Sequence, residues 1–163
     1  MLTQILAKQH IFESINIAVK QWKSSGEKIV FTNGCFDLIH YGHLHYLAEA
    51  AALGDRLIVG LNSDDSVKRL KGSQRPIKDE TNRSFLLASL AVVDAVVLFT
   101  EDTPLHLIDL VRPNVLVKGG DWKPHQIVGS NIVLNDGGEV KSLAFVEGHS
   151  TTSLIEKIQQ LTP

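Results

Sequence analysis

Two hydrophobic periods alternate along the chain. Ile5, Phe12, Ile15, Val19 and Trp22 recur at three- and four-residue steps before Ser24-Ser25-Gly26, which predicts one amphipathic helix closed by a glycine cap. Short runs that are apolar without alternation follow, at about Lys28 to Thr32, Arg56 to Leu61, Ala95 to Phe99 and Val115 to Lys118. Such runs predict strands buried on both faces, as in a parallel sheet. Between them the pattern predicts a helix over roughly 42–53 ended by Gly54, and a short one capped by Asn62-Ser63-Asp64 that ends near Leu70. A third helix, with apolar positions from Phe85 to Val93, is capped by Thr81 or Asn82, and a fourth runs from Thr103-Pro104 to about Val111. Ile132 to Leu134 and Val140 to Val146 read as short strands around a hairpin-type turn at Asp136-Gly137-Gly138. Pro124 to Ser130 fits a single helical turn, and Ser150-Thr151-Thr152 caps a terminal helix to about Leu161, with Glu156 near a capping-box position.

This order predicts an α/β fold: a single-domain, doubly wound, Rossmann-like parallel sheet with helices on both faces. Residues 1–25 read as a helical extension and residues 26–163 as the domain proper. Composition narrows the function. The formal net charge of -2 and the 21% of charged residues argue against a general nucleic-acid or membrane-surface binder. The basic residues are uneven, however: Lys68, Arg69, Lys71, Arg75, Lys78 and Arg83 crowd into one segment, which suggests a local anion site. Cys35 is the only cysteine, no basic segment with an apolar stretch opens the chain, and no apolar run approaches a membrane span. A reducing, cytoplasmic setting is expected.

In doubly wound sheets, ligands bind beyond the carboxyl ends of the strands. Those ends are Asn33-Gly34-Cys35-Phe36-Asp37, Asn62-Ser63-Asp64, Lys118-Gly119-Gly120-Asp121 and, farther on, Gly148-His149-Ser150-Thr151-Thr152. The first leads into a helix whose His40 and His43 share a face, with Gly42 leaving room for close approach. A glycine turn followed by a helix N-terminus is a phosphate site. A zinc site made of Cys35, His40 and His43 is disfavoured, since there is no second cysteine and the spacing fits no common zinc module. Cys35 reads as a small apolar filler rather than a nucleophile, and His10, His45, His106, His125 and His149 are given no role. The Lys71-Gly-x-x-Arg75 loop follows the second strand and suits phosphate, as does Arg83 in a first helical turn. Asp121, after two glycines, suits a hydroxyl or a metal-bound water.

These residues resemble the nucleotidylyltransferases that carry a His-x-Gly-His motif, in their cytidylyltransferase-like branch. Over roughly residues 26 to 160, Thr32 to His43, Gly54 to Asp64, Ser66 to Gly72, Arg75-Pro76, Glu101 to Pro104, Val117 to Asp121 and Glu147 to Thr152 are similar to the heptose 1-phosphate adenylyltransferases of ADP-heptose synthesis. That unit is often fused to a sugar kinase. The resemblance implies transfer from ATP to D-glycero-β-D-manno-heptose 1-phosphate, giving ADP-heptose and pyrophosphate for lipopolysaccharide core assembly. It implies catalytic roles for His40, His43 and Lys71, and a nucleotide pocket formed by Thr32, Asn33, Gly34, Phe36, Asn62, Asp121, Ser150, Thr151 and Thr152. Asp37, Arg75 and Arg83 become candidates for the acceptor phosphate. Mg2+ would arrive on the ATP phosphates with no direct protein ligand, the assembly would be a homodimer, and a separate sugar kinase is a further partner. A glycerol 3-phosphate cytidylyltransferase shares Phe36-Asp37, both histidines, Gly120-Asp121-Trp122 and the Ser-Thr-Thr segment; Thr32-Asn-Gly-Cys35 and Lys71-Gly-x-x-Arg75-Pro76 favour the heptose-type enzyme. A riboflavin-type adenylyl transfer is more remote. A non-catalytic nucleotide-binding module is the reading from another class, which intact His40, His43 and Lys71 oppose.

Overall fold

The computed structural model describes residues 1–146 and 148–161. Its apolar runs become the strands of one sheet in which every pairing is parallel: β1 (Gln9–His10), β2 (Ile29–Gly34), β3 (Arg56–Asn62), β4 (Ala95–Phe99), β5 (Val115–Gly119) and β6 (Glu139–Leu143). Their order is β1-β4-β3-β2-β5-β6. The chain moves outward from β2 through β3 to β4, then crosses back to β5 and β6, so the switch point lies between β2 and β5.

The helices are α1 (Leu2–Leu6), α2 (Phe12–Ser24), α3 (Tyr41–Ala51), α4 (Asp64–Lys71), α5 (Glu80–Ala88), α6 (Leu105–Val111), α7 (Ser130–Asn135) and α8 (Thr151–Gln160). Strand alternation divides the core into two layers. Ile29 and Phe31 of β2 pack with Ile15 and Val19 of α2, Leu107, Ile108 and Val111 of α6 and Val133 of α7. Val30 faces the other way, with Tyr46, Leu47 and Ala50 of α3 and Leu87 and Ala88 of α5. Both faces of the central strands are therefore closed to water, which confirms the doubly wound arrangement. Among the described residues no helix is long and apolar enough to cross a membrane.

Four expectations need correction. The segment before Gly26 is not one helix: it breaks at β1, which pairs with β4, and Val96 N–H donates to Lys8 O at 2.8 Å. A two-residue edge strand has too few positions to show a period, and its partner rather than its own pattern defines it. Ile132 to Leu134 lies in α7 rather than a strand, and Asp136-Gly137-Gly138 is no hairpin. Gly137 adopts φ +78° and donates to Leu134 O, while Gly138 donates to Val133 O, so the pair of glycines ends a helix in a Schellman motif and leads into β6, parallel to β5. Finally, Asp79 rather than Thr81 or Asn82 caps α5, its carboxylate accepting from Asn82 N–H at 2.8 Å. In α8, Ser150 accepts from Ser153 N–H at 3.0 Å, so Ser153 rather than Glu156 stands at the capping-box position.

Candidate active site

A cavity of about 810 Å3 opens at the carboxyl ends of β2, β3 and β5. Its floor is the turn after β2. Phe36 takes φ +44°, and its ring folds back over Gly34, where any Cβ would sit 2.9 Å from the ring. The chain then enters α3 with His40 as its N-cap and His43 in the first turn; His43 N–H donates to His40 O at 2.9 Å. The two imidazoles stack with centroids 3.8 Å apart and planes inclined by 28°. A Cβ on Gly42 would lie 3.2 Å from both the His40 ring and the His149 Cβ, so glycine is what admits this packing.

The electrostatics of the pair follow from its enclosure. Burial and then the neighbouring His40, with Lys71 beyond, lower the His43 pKa to about 4, against a smaller opposing effect of the Leu38 backbone. Burial, and then His149, also lower His40. Both rings are thus neutral near pH 7. Their Nδ1 atoms are buried without a hydrogen-bond partner among the described residues. Buried polar atoms are rarely left so, and a catalytic role or a bound water or ion is the usual explanation for those that are.

Lys71 ends α4, is exposed and lines the cavity together with Arg75. Arg75 is held by Asp37, whose carboxylate takes Arg75 Nε at 2.6 Å and the N–H groups of Ile77 and Lys78 at 2.8 and 2.9 Å. Burial alone would raise the Asp37 carboxyl; the Lys78 and Ile77 N–H groups and the Arg75 guanidinium outweigh it and hold the pKa below the usual value. With a relative exposure of 2%, Asp37 borders the cavity but its oxygens are occupied in fastening the 72–78 loop to the turn after β2.

Of the residues expected at the nucleotide, Asn33, Gly34, Phe36, Asn62, Ser150, Thr151 and Thr152 all line the cavity. Thr32 does not: it is fully buried, its hydroxyl 2.6 Å from Tyr46 Oη beneath α3. Asp121 is exposed and outside the lining. Arg83 is the largest correction. It is 0% exposed and directs Nε to Lys78 O, Nη1 to Cys35 O and Asn62 O, and Nη2 to Asp64 Oδ1, at 2.7 to 3.0 Å. These bonds tie α5 to the loop before it, to the turn after β2, to the end of β3 and to the start of α4, and they occupy all three guanidinium nitrogens.

Several lining residues escaped the sequence reasoning. Trp122 lines one wall, its Nε1 donating to Gly119 O at 3.1 Å, and Phe145 closes on Gly119 and Gly120, where added Cβ atoms would meet its ring at 2.8 and 3.1 Å. Lys118, His149, Thr103 and Gln126 also line it. For Lys118 a signal existed: it stands at a strand end beside two glycines, and the alternation of β5 fixes which face it takes. Among the described residues no group of three or more His, Cys, Asp or Glu side chains could hold a metal ion.

Residues 31–157 match the cytidylyltransferase-like family model. The bifunctional protein HldE of Haemophilus influenzae strain PittGG is 61% identical over 144 residues, 88% of this chain and 30% of that protein. The bifunctional protein HldE of Geotalea uraniireducens is 52% identical over 94% of this chain and 31% of its own length. The chain thus spans about 30% of the length of these relatives. Among solved structures, the lipopolysaccharide core biosynthesis protein from Thermoplasma volcanium superposes with a TM-score of 0.61 at 32% identity, covering 76% of this chain and all of that one.

Proposed function

The chain belongs to the cytidylyltransferase-like family, and on that premise we propose that it transfers the adenylyl group of ATP to a sugar 1-phosphate, D-glycero-β-D-manno-heptose 1-phosphate. The products are ADP-heptose and pyrophosphate. The observation that carries the reading is the stacked His40–His43 pair, neutral and with Nδ1 atoms unpartnered among the described residues, in a cavity that also receives Lys71 and Arg75. Identities of 61% and 52% to the HldE proteins support the choice of the heptose acceptor, and the word bifunctional in their names leaves room for a sugar kinase as the supplier of that acceptor.

The chemistry asks little of the protein beyond placement and charge. An oxygen of the acceptor phosphate, already anionic, forms a bond to the α-phosphorus; the bond from that phosphorus to the α,β-bridging oxygen breaks, and pyrophosphate leaves with the electron pair. No proton must be removed from the nucleophile. Neutral imidazoles suit this step, because each donates one N–H to a phosphate oxygen without exchanging a proton. Lys71 adds positive charge as negative charge accumulates on the pentacoordinate phosphorus, and the N-terminus of α8 at Ser150, Thr151 and Thr152 offers further N–H donors. The lining supplies imidazoles and cations, which suits direct contact with phosphate oxygens. A Mg2+ ion bound to those oxygens would neutralise part of their charge. We assign the reaction to the cytoplasm, where ATP is supplied, and propose a homodimer as the assembly.

Pyrophosphate release with ATP and CTP against a panel of sugar and polyol phosphates tests the reading. ATP with the heptose 1-phosphate should give the highest kcat/KM; turnover with CTP and glycerol 3-phosphate but not with ATP would sink it. His43→Ala should lower kcat by about 10²–10³-fold while ATP affinity changes little.

A further inference from the structure

The cavity straddles the end of the sheet, and its two halves differ in chemistry. Alternation along β5 sends Gly119 toward α3, where an added Cβ would meet Phe145 and Tyr46, and sends the preceding Lys118 to the opposite face. Asn33 lies on that same opposite face: its Cβ and Leu107 of α6 both neighbour the site where a Cβ on Gly60 would stand. Lys118 Nζ reaches Asn33 Oδ1 at 3.5 Å. The imidazole pair, carried by α3, is on the other side of the sheet.

We propose that the α6 side of the cavity is the acceptor subsite, with Lys118 as the cation that binds the phosphate monoester of the incoming sugar 1-phosphate. The inference rests on the nucleotidyl-transfer reading and adds to it a residue and a location. Three observations support it. Among the described residues no carboxylate forms an ion pair with Lys118, although its ammonium is largely withdrawn from solvent; burial lowers its pKa, the nearby Cys35 opposes that, and Lys71 adds to it. Cys35 supplies no compensating charge near pH 7, because burial raises its thiol above the ordinary value despite the surrounding cations. A cation left unpaired at a cavity floor is stabilised by an anionic ligand.

Second, two of the three side chains that spacing suggests for the acceptor phosphate are engaged elsewhere, Arg83 in the carbonyls of Lys78, Cys35 and Asn62 and in Asp64, and Asp37 in the 72–78 loop, while the third, Arg75, lines the cavity with its Nε held by Asp37. Third, in-line displacement places nucleophile and leaving group on opposite sides of the α-phosphorus. With the imidazoles and the start of α8 attending the nucleotide phosphates, the nucleophile must come from the other side, where Lys118 stands. The wall there includes Thr103 and Gln126, which offer a hydroxyl and an amide to sugar hydroxyl groups, and buried Ile127, which belongs to the α6-side core.

Calorimetric titration of D-glycero-β-D-manno-heptose 1-phosphate into the protein saturated with α,β-methylene ATP and Mg2+ tests the assignment. Lys118→Met should weaken acceptor binding at least tenfold while affinity for the ATP analogue stays within twofold, and Lys118→Arg should recover part of the loss. The thermal midpoint of ligand-free Lys118→Met should equal or exceed that of the wild type, because a buried unpaired charge has been removed. Equal acceptor affinity in wild type and Lys118→Met, a parallel fall in analogue affinity, or a lowered midpoint would each overturn the proposal. Pyrophosphate release by the wild type reports separately on the reaction: turnover with an acceptor KM indifferent to Lys118→Met would sink the subsite and leave the reaction standing. Lys118-dependent acceptor binding without turnover would do the reverse.

Discussion

Replacing Arg83 separates a structural reading from a ligand-binding one. Its guanidinium makes bonds to Lys78 O, Cys35 O, Asn62 O and Asp64 Oδ1, all with the side chain fully buried. Hydrogen bonds to charged groups contribute about 1.5–3 kcal/mol each, so four independent bonds would sum to about 6–12 kcal/mol. They are not independent, since they share one group whose desolvation opposes them. Breaking a buried pair by removing one partner costs about 3–5 kcal/mol, and that is the loss expected for Arg83→Met. Against a total stability of roughly 5–15 kcal/mol for a domain, the variant remains foldable but fragile. At about 2–4 °C per kcal/mol for this size, the midpoint should fall by about 6–20 °C. Urea denaturation of wild type, Arg83→Met and Arg83→Lys checks the value, with m unchanged and the Lys variant intermediate. A stability within about 1 kcal/mol of wild type, accompanied by a raised KM for the acceptor, would refute the argument and return Arg83 to the substrate.

Two further outcomes follow from the geometry. The depressed His43 pKa of about 4 means that the folded state binds its proton later than the unfolded chain, whose value is 6.5. The associated stability is therefore intact above pH 6.5 and declines as pH falls toward 4. NMR titration should show one imidazole protonating near pH 4 that disappears in His43→Gln, and an inflection near 6.5 for that ring would contradict the enclosed geometry. Gly54→Ala would place a Cβ 2.6 Å from Lys28 O and 2.8 Å from Val30 Cγ2, at the entry to β3. Overpacking of that kind costs about 1–3 kcal/mol, measurable as a lower denaturation midpoint, and an unchanged midpoint would show that the backbone there yields without strain.

The four inner strands were legible because their apolar runs are buried on both faces and interrupted by turn residues. β1 was not, because two residues carry no periodicity and the strand exists through β4. Around α7, Ile132 and Val133 fit a strand as well as a helix, and two glycines after Asp136 serve a hairpin or a helix C-cap equally; only the hydrogen bonds to Val133 O and Leu134 O decide. At the site, spacing brought His40, His43, Lys71 and the strand-end segments to one edge. It could not distinguish an arginine that faces the cavity from one that faces the protein. Arg75 and Arg83 belong to the same basic cluster, yet one lines the cavity and the other has no solvent exposure. That difference is set by which carbonyls converge on the side chain, and a one-dimensional pattern does not contain it. Lys118 stood in one of the strand-end segments but was given no role, because spacing does not show that it has no carboxylate ion-pair partner among the described residues.

The fastening made by Asp37 bears on how such a site could be altered. Because its carboxylate grips Arg75 and the backbone at Ile77 and Lys78, the far end of the loop is moored to the turn after β2 independently of what precedes it. Gly72, Ser73 and Gln74 form an exposed span between two fixed posts, Lys71 at the end of α4 and the Asp37 anchorage. Segments of other length or composition could be grafted between those posts while both cations keep their register to the imidazoles, so this stretch can vary without rebuilding the cavity wall.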